Sequence, residues 1–292
     1  MSQILVTGAN GQVGMELQTL AKQLQDTFTF HFTDVADLDI TSEDNIKHVF
    51  DKVKPGYVIN CAAYTAVDKA EEDKDLCFKI NTQAVENLAN ACQANDARFL
   101  HISSDYVYHN GLDRPLLETD PTTPKGVYAA TKLQGDLQAL AANEDTIILR
   151  TSWVYSSFGH NFVKTMIRLG TERDTLGVVY DQIGVPTYAR DIAATLLHII
   201  GKIEAQENAP GGVYNFAPQG VTCWFDFAKT IFELEEIECT VNSILSKAYP
   251  TPAARPTYSV LNCDKIKETF DVDIPYWKDS LKACLQEIKQ TV

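Results

Sequence analysis

Apolar positions in the first half of the chain alternate between two rhythms. Residues 3–7 (QILVT) form a short apolar run that ends in glycines, which reads as a buried strand. Residues 13–24 carry apolar side chains at helical spacing, and residues 28–33 (FTFHFT) alternate in the aromatic-rich manner of a strand. Thr41, Ser42, Glu43 and Asp44 resemble a capped helix start, with the helix running to about Val53. Pro55 and Gly56 turn the chain into a third strand at 57–60. A long helical stretch at 76–95, a strand at 98–103, a helix at 128–142 and a strand at 146–150 continue the series. Strands that alternate with helices over short connections predict a Rossmann-type doubly wound parallel sheet, an α/β fold with helices on both faces. Such sheets bind ligands beyond the carboxyl ends of their strands.

Past Thr151 the rhythm loosens. Helices are expected at 160–170, 188–204, 224–237 and 277–290, with short strands near 176–180 and 212–216. Pro186, Pro210, Pro218, Pro250, Pro252 and Pro256 interrupt the pattern. We read residues 1–152 as a dinucleotide-binding domain and residues 153–292 as a smaller substrate lobe, partly interleaved with the first.

Composition narrows the classes. Apolar residues make up 45% and charged residues 22%, enough to build a large core. The formal net charge of −14 argues against a nucleic-acid partner, which would demand a basic face. It leaves room for an anionic substrate held by helix N-termini. Seven cysteines include no metal-type CxxC pair, so no metal site is expected among them and they read as thiols of a reducing compartment. No apolar run approaches the length of a bilayer, and none follows a basic leader, so a cytoplasmic protein without a membrane partner is expected.

Gly8, Gly11 and Gly14 have a GxxGxxG spacing between the first strand and the first helix. A tight turn, close backbone approach to a pyrophosphate and close helix packing each need a residue without Cβ. Asp34 follows the second strand, where a carboxylate accepts hydrogen bonds from an adenosine ribose and repels a 2′-phosphate, leaning towards NADH. Ile40 is placed to pack on adenine, with Asp39 near its amino group.

Tyr128 and Lys132 form a YxxxK pair at the start of a helix, where residues i and i+4 share one face. A nearby ammonium lowers the pKa of a phenol, which then serves as an acid–base group. Ser104, at the end of the fourth strand, stands at the matching sheet edge to bond the same carbonyl oxygen.

With these motifs the chain resembles the extended short-chain dehydrogenases, and more closely the dTDP-4-dehydrorhamnose reductases. The resemblance spans nearly the whole chain. It rests on residues 8–14, 60–71, 103–108, 150–155, 181–187 and 255–259, together with Tyr128 and Lys132. It implies that Asn10, Gly11, Gln12, Val13, Asp39, Ile40, Ala62, Ala63 and Tyr64 contact the dinucleotide. Ser104, Tyr128 and Lys132 would be catalytic, and Ser104, Asp105 and Trp153 would touch the sugar. Trp153 would offer a flat platform to a deoxysugar methyl group, and Asn161, Phe162 and Gln182 would shape the pocket. The implied reaction is reduction, by NADPH or NADH, of the 4-keto group of dTDP-4-dehydro-L-rhamnose to give dTDP-L-rhamnose, a surface-polysaccharide precursor. A monomer or homodimer is expected. Some such relatives bind Mg²⁺ through glutamates at a dimer contact, and Glu16 is the residue here that invites comparison. Two other readings remain open at this point: a non-catalytic regulatory subunit resembling that of methionine adenosyltransferase, and an epimerase or reductase on another nucleotide sugar. Cofactor oxidation by the purified chain alone separates the first of these from an enzyme.

Overall fold

The structure, a computed structural model, describes residues 1–206 and 209–291. Strands β1 (Ser2–Thr7), β2 (Phe28–Phe32), β3 (Tyr57–Asn60), β4 (Arg98–Ser104) and β5 (Ile147–Thr151) alternate with helices α1 (Gln12–Ala21), α2 (Glu43–Val53), α3 (Lys74–Phe78), α4 (Ala84–Ala94) and α5 (Val127–Ala142). Further on lie β6 (Val154–Tyr155), α6 (Phe162–Glu172), β7 (Thr175–Val179), β8 (Ile183–Gly184), β9 (Thr187–Tyr188) and α7 (Ala189–Glu204). They are followed by β10 (Gly212–Asn215), β11 (Thr222–Cys223), α8 (Trp224–Glu235), β12 (Thr240–Ile244), α9 (Asp264–Phe270) and α10 (Trp277–Thr291).

The main sheet has six parallel strands in the order β10-β5-β4-β3-β1-β2. The chain moves outward from β1 in both directions, so the crevice at the carboxyl ends of β1 and β3 is the topological switch point where such folds bind ligands. Strand alternation splits the core. Ile4, Val6, Ile59 and Leu100 face one helical layer, whereas Leu5, Val58 and Phe99 face the other. All are fully buried, and each large apolar side chain contributes about 1.5–3 kcal/mol by leaving water.

The expected run at 76–95 is interrupted. Lys79–Gln83 widens into a π-helical turn between α3 and α4. There the Asn81 carboxamide leaves the helix surface to accept from the Tyr64 amide, and Thr82 donates to the Thr131 carbonyl of α5. A Cβ on Gly135 of α5 would come within 2.1 Å of the Asn81 carbonyl oxygen, so the two helices touch backbone to backbone.

The later half returns to the sheet. β10 closes its edge beside β5, and α7 packs along α1. β12 and α9 were not anticipated: three of the five residues of β12 are exposed, and α9 is too short to develop a helical period. β7 and β12 pair in parallel as a separate ribbon, while β6 pairs with β9 and β8 with β11. Among the described residues no helix is long and apolar enough to cross a membrane. All seven cysteines are free thiols.

Candidate active site

A cavity of about 950 Å³ runs along the carboxyl ends of the strands. Its floor at one end is the glycine loop. Gly8 has φ +63°, and a Cβ there would lie 2.6 Å from the Ala62 nitrogen, so only glycine fits both the turn and the approach to the next loop. A Cβ on Gly14 would lie 2.5 Å from the carbonyl oxygens of Gly8 and Ala9, which fixes how closely α1 seats under its own loop. Gly14 supports the cavity without forming its wall. Gly11 caps α1 with no side-chain acceptor, and the first turn carries no acidic residue. The first amides of α1 thus keep their donors and the positive end of the helix dipole for an anion, which suits a pyrophosphate. Asn10, Gly11, Gln12 and Val13 all line this end. Gln12 also accepts from Asn161 at 3.0 Å, which ties the loop to the N-cap of α6.

The part of the cavity beside the loop is lined by Asp34, Val35, Leu38, Asp39, Ile40 and Thr41. Asp34 accepts from the Asn10 amide at 3.0 Å and the Val35 amide at 2.8 Å, so it braces the glycine loop. The hydroxyl and amide of Thr41 hold the Asp39 carboxyl below its ordinary pKa. Ile40 shows one edge to the cavity and buries the rest against α2. Ala62 and Ala63 line the opposite wall. Tyr64 is not part of that wall: its phenol donates to Asp73 at 2.8 Å.

Ser104, Asp105, Tyr128, Lys132 and Trp153 converge at the other end. Ser104 terminates β4, accepts from the Tyr106 amide at 3.2 Å and donates to Asp105 at 3.1 Å. Tyr128 lies in the first turn of α5, and the ring of Tyr106 meets it edge to face at 5.5 Å. The phenol pKa is not lowered, contrary to the expectation from the YxxxK pair. Burial pushes it up to about 12, and the hydrogen bond with Ser104 offsets only part of that rise. Lys132 does not offset that burial, because it is engaged elsewhere. Its Nζ donates to the Ile102 carbonyl at 2.8 Å and contacts His101 Nε2 at 3.1 Å, and burial lowers its own pKa to about 8. Asp105 is buried as well, and desolvation raises its pKa to about 7 against the pull of hydrogen bonds from Ser259 and Ser104.

Trp153 has φ +46°, a left-handed backbone that is unusual for a bulky residue and recurs at functional sites. Its ring stacks on Trp224 at 3.7 Å, with 13° between the planes, so that face is covered, and the residue lines the cavity. Gln182 accepts from the Trp224 indole at 3.1 Å and donates to Ser246, a supporting position away from the cavity wall. Phe162 packs against Trp224 and Phe227.

A family model described as the RmlD substrate binding domain matches residues 1–290. A dTDP-4-dehydrorhamnose reductase of Aggregatibacter actinomycetemcomitans is 40% identical over 291 residues, covering 97% of this chain and 98% of the relative. The chain belongs to the dTDP-4-dehydrorhamnose reductase family. A crystal structure of such a reductase from Clostridium acetobutylicum superposes with a TM-score of 0.91 at 41% identity, covering 98% of this chain and 99% of that one. A second, from Bacillus anthracis in complex with NADP, gives 0.92 at 34% identity, covering 98% and 100%.

The Mg²⁺ that the family resemblance suggested does not fit this member. Both oxygens of buried Glu16 are engaged, one by the Ser156 hydroxyl at 2.6 Å and one by the Arg190 guanidinium at 2.8 Å. Arg190 also pairs with Glu287. A guanidinium thus stands where a cation between these carboxylates would have to sit. Among the described residues no group of three or more potential ligands could hold a metal.

Sequence reasoning left several wall residues unnamed. Thr65 and Val67 lie within the family-specific block at 60–71, so the block marked them without singling them out. Gly159 and His160 belong to the loop before α6, where Gly159 has φ +65°. No short-range pattern marked that loop.

Proposed function

We propose that this chain reduces the 4-keto group of dTDP-4-dehydro-L-rhamnose to give dTDP-L-rhamnose, with NADH favoured over NADPH. The observation that carries this reading is the single cavity with a pyrophosphate-ready glycine loop at one end and Ser104, Tyr128 and Lys132 at the other. When bound, the cofactor supplies a hydride for the keto carbon. Tyr128 donates the proton that the developing alkoxide needs. A phenol held near pH 12 keeps its proton at neutral pH and loses it only to a stronger base such as an alkoxide. Ser104 donates a hydrogen bond to the same oxygen and steadies its charge. Lys132 lies one turn further along α5, placed to hold the ribose of the cofactor.

In this reading residues 1–152 hold the dinucleotide. Residues 153–292 supply Trp153 to the sugar side and bring the loop at 159–160 beside Gln12 of the glycine loop. Asp105 and Trp153 contact the sugar. The preference for NADH follows from the recess around the ribose, where Asp34 and Asp39 line the wall and, among the described residues, no lysine or arginine does. A 2′-phosphate would meet two carboxylates, while Lys79, the cation that acts on Asp39, stands outside that wall.

The test is loss of reduced-cofactor absorbance with the purified chain, each of NADH and NADPH, and a panel of nucleotide-linked 4-ketosugars. Consumption stoichiometric with dTDP-4-dehydro-L-rhamnose, faster with NADH, is expected. No consumption with any member of the panel would overturn the assignment.

A further inference from the structure

Thr7, Asn60 and His101 stand in register on β1, β3 and β4, and Lys132 of α5 reaches the end of that row. All four are buried. Their hydrogen bonds are unbroken: Thr7 Oγ1 to Asn60 Oδ1 at 2.6 Å, Asn60 Nδ2 to His101 Nδ1 at 3.0 Å, and His101 Nε2 to Lys132 Nζ at 3.1 Å. One more bond sets their polarity. The Ala62 amide can only donate, and it points at Asn60 Oδ1 at 3.2 Å. The carboxamide oxygen therefore faces Thr7 and Ala62, and the NH₂ group faces His101. Nδ1 of His101 must accept. Burial keeps the ring neutral, so its one proton sits on Nε2 and points at Lys132. An ammonium has three donors and no lone pair, whereas a free amine can accept that hydrogen.

We propose that Asn60 and His101 are positioning residues that set the protonation state of Lys132, because their fixed donors present a hydrogen to Nζ and favour the neutral amine. For its bearing on turnover the proposal rests on the catalytic reading of Lys132. The His101 tautomer and the Lys132 titration are independent of that reading. Other groups face Lys132 from each packed element. On β4 the Ile102 carbonyl accepts from Nζ. Cys77 approaches from α3, and Asp136 and Tyr128 share α5 with it. Asp136 pulls towards the ammonium, but Arg150 of β5 holds that carboxylate at 3.1 Å and spends much of its charge. Desolvation of Nζ outweighs what remains of that pull.

Asn60→Asp tests the row. It keeps one oxygen for Thr7 and Ala62 and replaces the NH₂ group by an acceptor of the same size. His101 must then carry its proton on Nδ1, which leaves Nε2 to accept from an ammonium. Imidazole nitrogen-15 shifts of the full chain report the tautomer, and carbon-13-labelled lysine reports the titration. The wild type is expected to show Nε2–H and the variant Nδ1–H. Lys132 should titrate about one pH unit higher or more in the variant. The pH profile of kcat should move the same way, with KM for the reduced cofactor changed by less than about twofold. If the variant does not fold, the wild-type tautomer still decides: an Nδ1–H ring or an imidazolium there overturns the proposal. A Lys132 titration unmoved by the tautomer flip overturns it too. A kcat profile that stays in place while Lys132 shifts supports the row and instead overturns the catalytic role of Lys132.

Discussion

At the glycine-loop end of the cavity the backbone makes the site, and at the Tyr128 end buried side chains make it. Gly8, Gly11 and the first turn of α1 offer amides and a helix dipole, with no titratable group to tune. Ser104, Asp105, Tyr128 and Lys132 are instead packed in a region where burial moves the pKa of three of them. The contrast suits the two tasks proposed for these ends. A pyrophosphate keeps its charge throughout, so fixed partial charges suffice to bind it. A carbonyl that becomes an alkoxide needs groups whose protons can move.

The sharpest way to break this contrast is Tyr128→Phe. If the phenol is the proton donor, turnover should fall by about 10²–10⁴-fold while reduced-cofactor affinity changes little, as read by steady-state kinetics beside fluorescence titration. Gly8→Ala should do the reverse at the other end. A left-handed alanine costs about 1–2 kcal/mol, and its contact with Ala62 adds about 1–3 kcal/mol. Loss of cofactor binding and a lower unfolding midpoint in urea are expected together.

Asp105→Asn sharpens the comparison through pH. The Asp105 carboxyl keeps its proton up to about pH 7 in the folded chain, against an ordinary value of 3.8. The folded state therefore binds more protons between these values, and its stability falls as pH rises through the window. Asparagine, which cannot ionise, should stabilise the fold by about 1–3 kcal/mol above pH 7, with the gain vanishing below about pH 4. Thermal unfolding across that range checks the sign. The smallest effect is expected from Asp34→Ala. Removing one carboxylate from the ribose recess should move the ratio of kcat/KM for NADPH over NADH up by about tenfold, roughly 1.4 kcal/mol.

Much of the glycine-loop end was legible because its signals are local. Gly8, Gly11 and Gly14 lie within one short segment, and the strand before them and the helix after them have clear periods. The Tyr128 end was legible only as residue types. Ser104, Tyr128 and Lys132 could be named, but the direction of the phenol pKa could not, because it depends on how deeply the packed chain buries the ring. His101, which contacts Lys132, lies inside an ordinary-looking strand, and Asn60 beside it was marked only as the first residue of the block at 60–71. Their alignment with Thr7 exists only once three strands are in register. Trp224 was hidden for the same reason: its stacking on Trp153 joins positions far apart in the chain. The π-helical turn at 79–83 was masked by a good helical period on either side of it.

The most direct test of the whole account follows the hydride. The purified chain is given NADH deuterated at the transferable position of nicotinamide C4, together with dTDP-4-dehydro-L-rhamnose, and the nucleotide sugar is analysed by mass spectrometry and proton NMR. One deuterium at sugar C4 for each cofactor oxidised, on either face-labelled form of NADH but not both, is the predicted result. Cofactor oxidation without label in the sugar, or an unchanged keto group in the presence of both reduced cofactors, would contradict it.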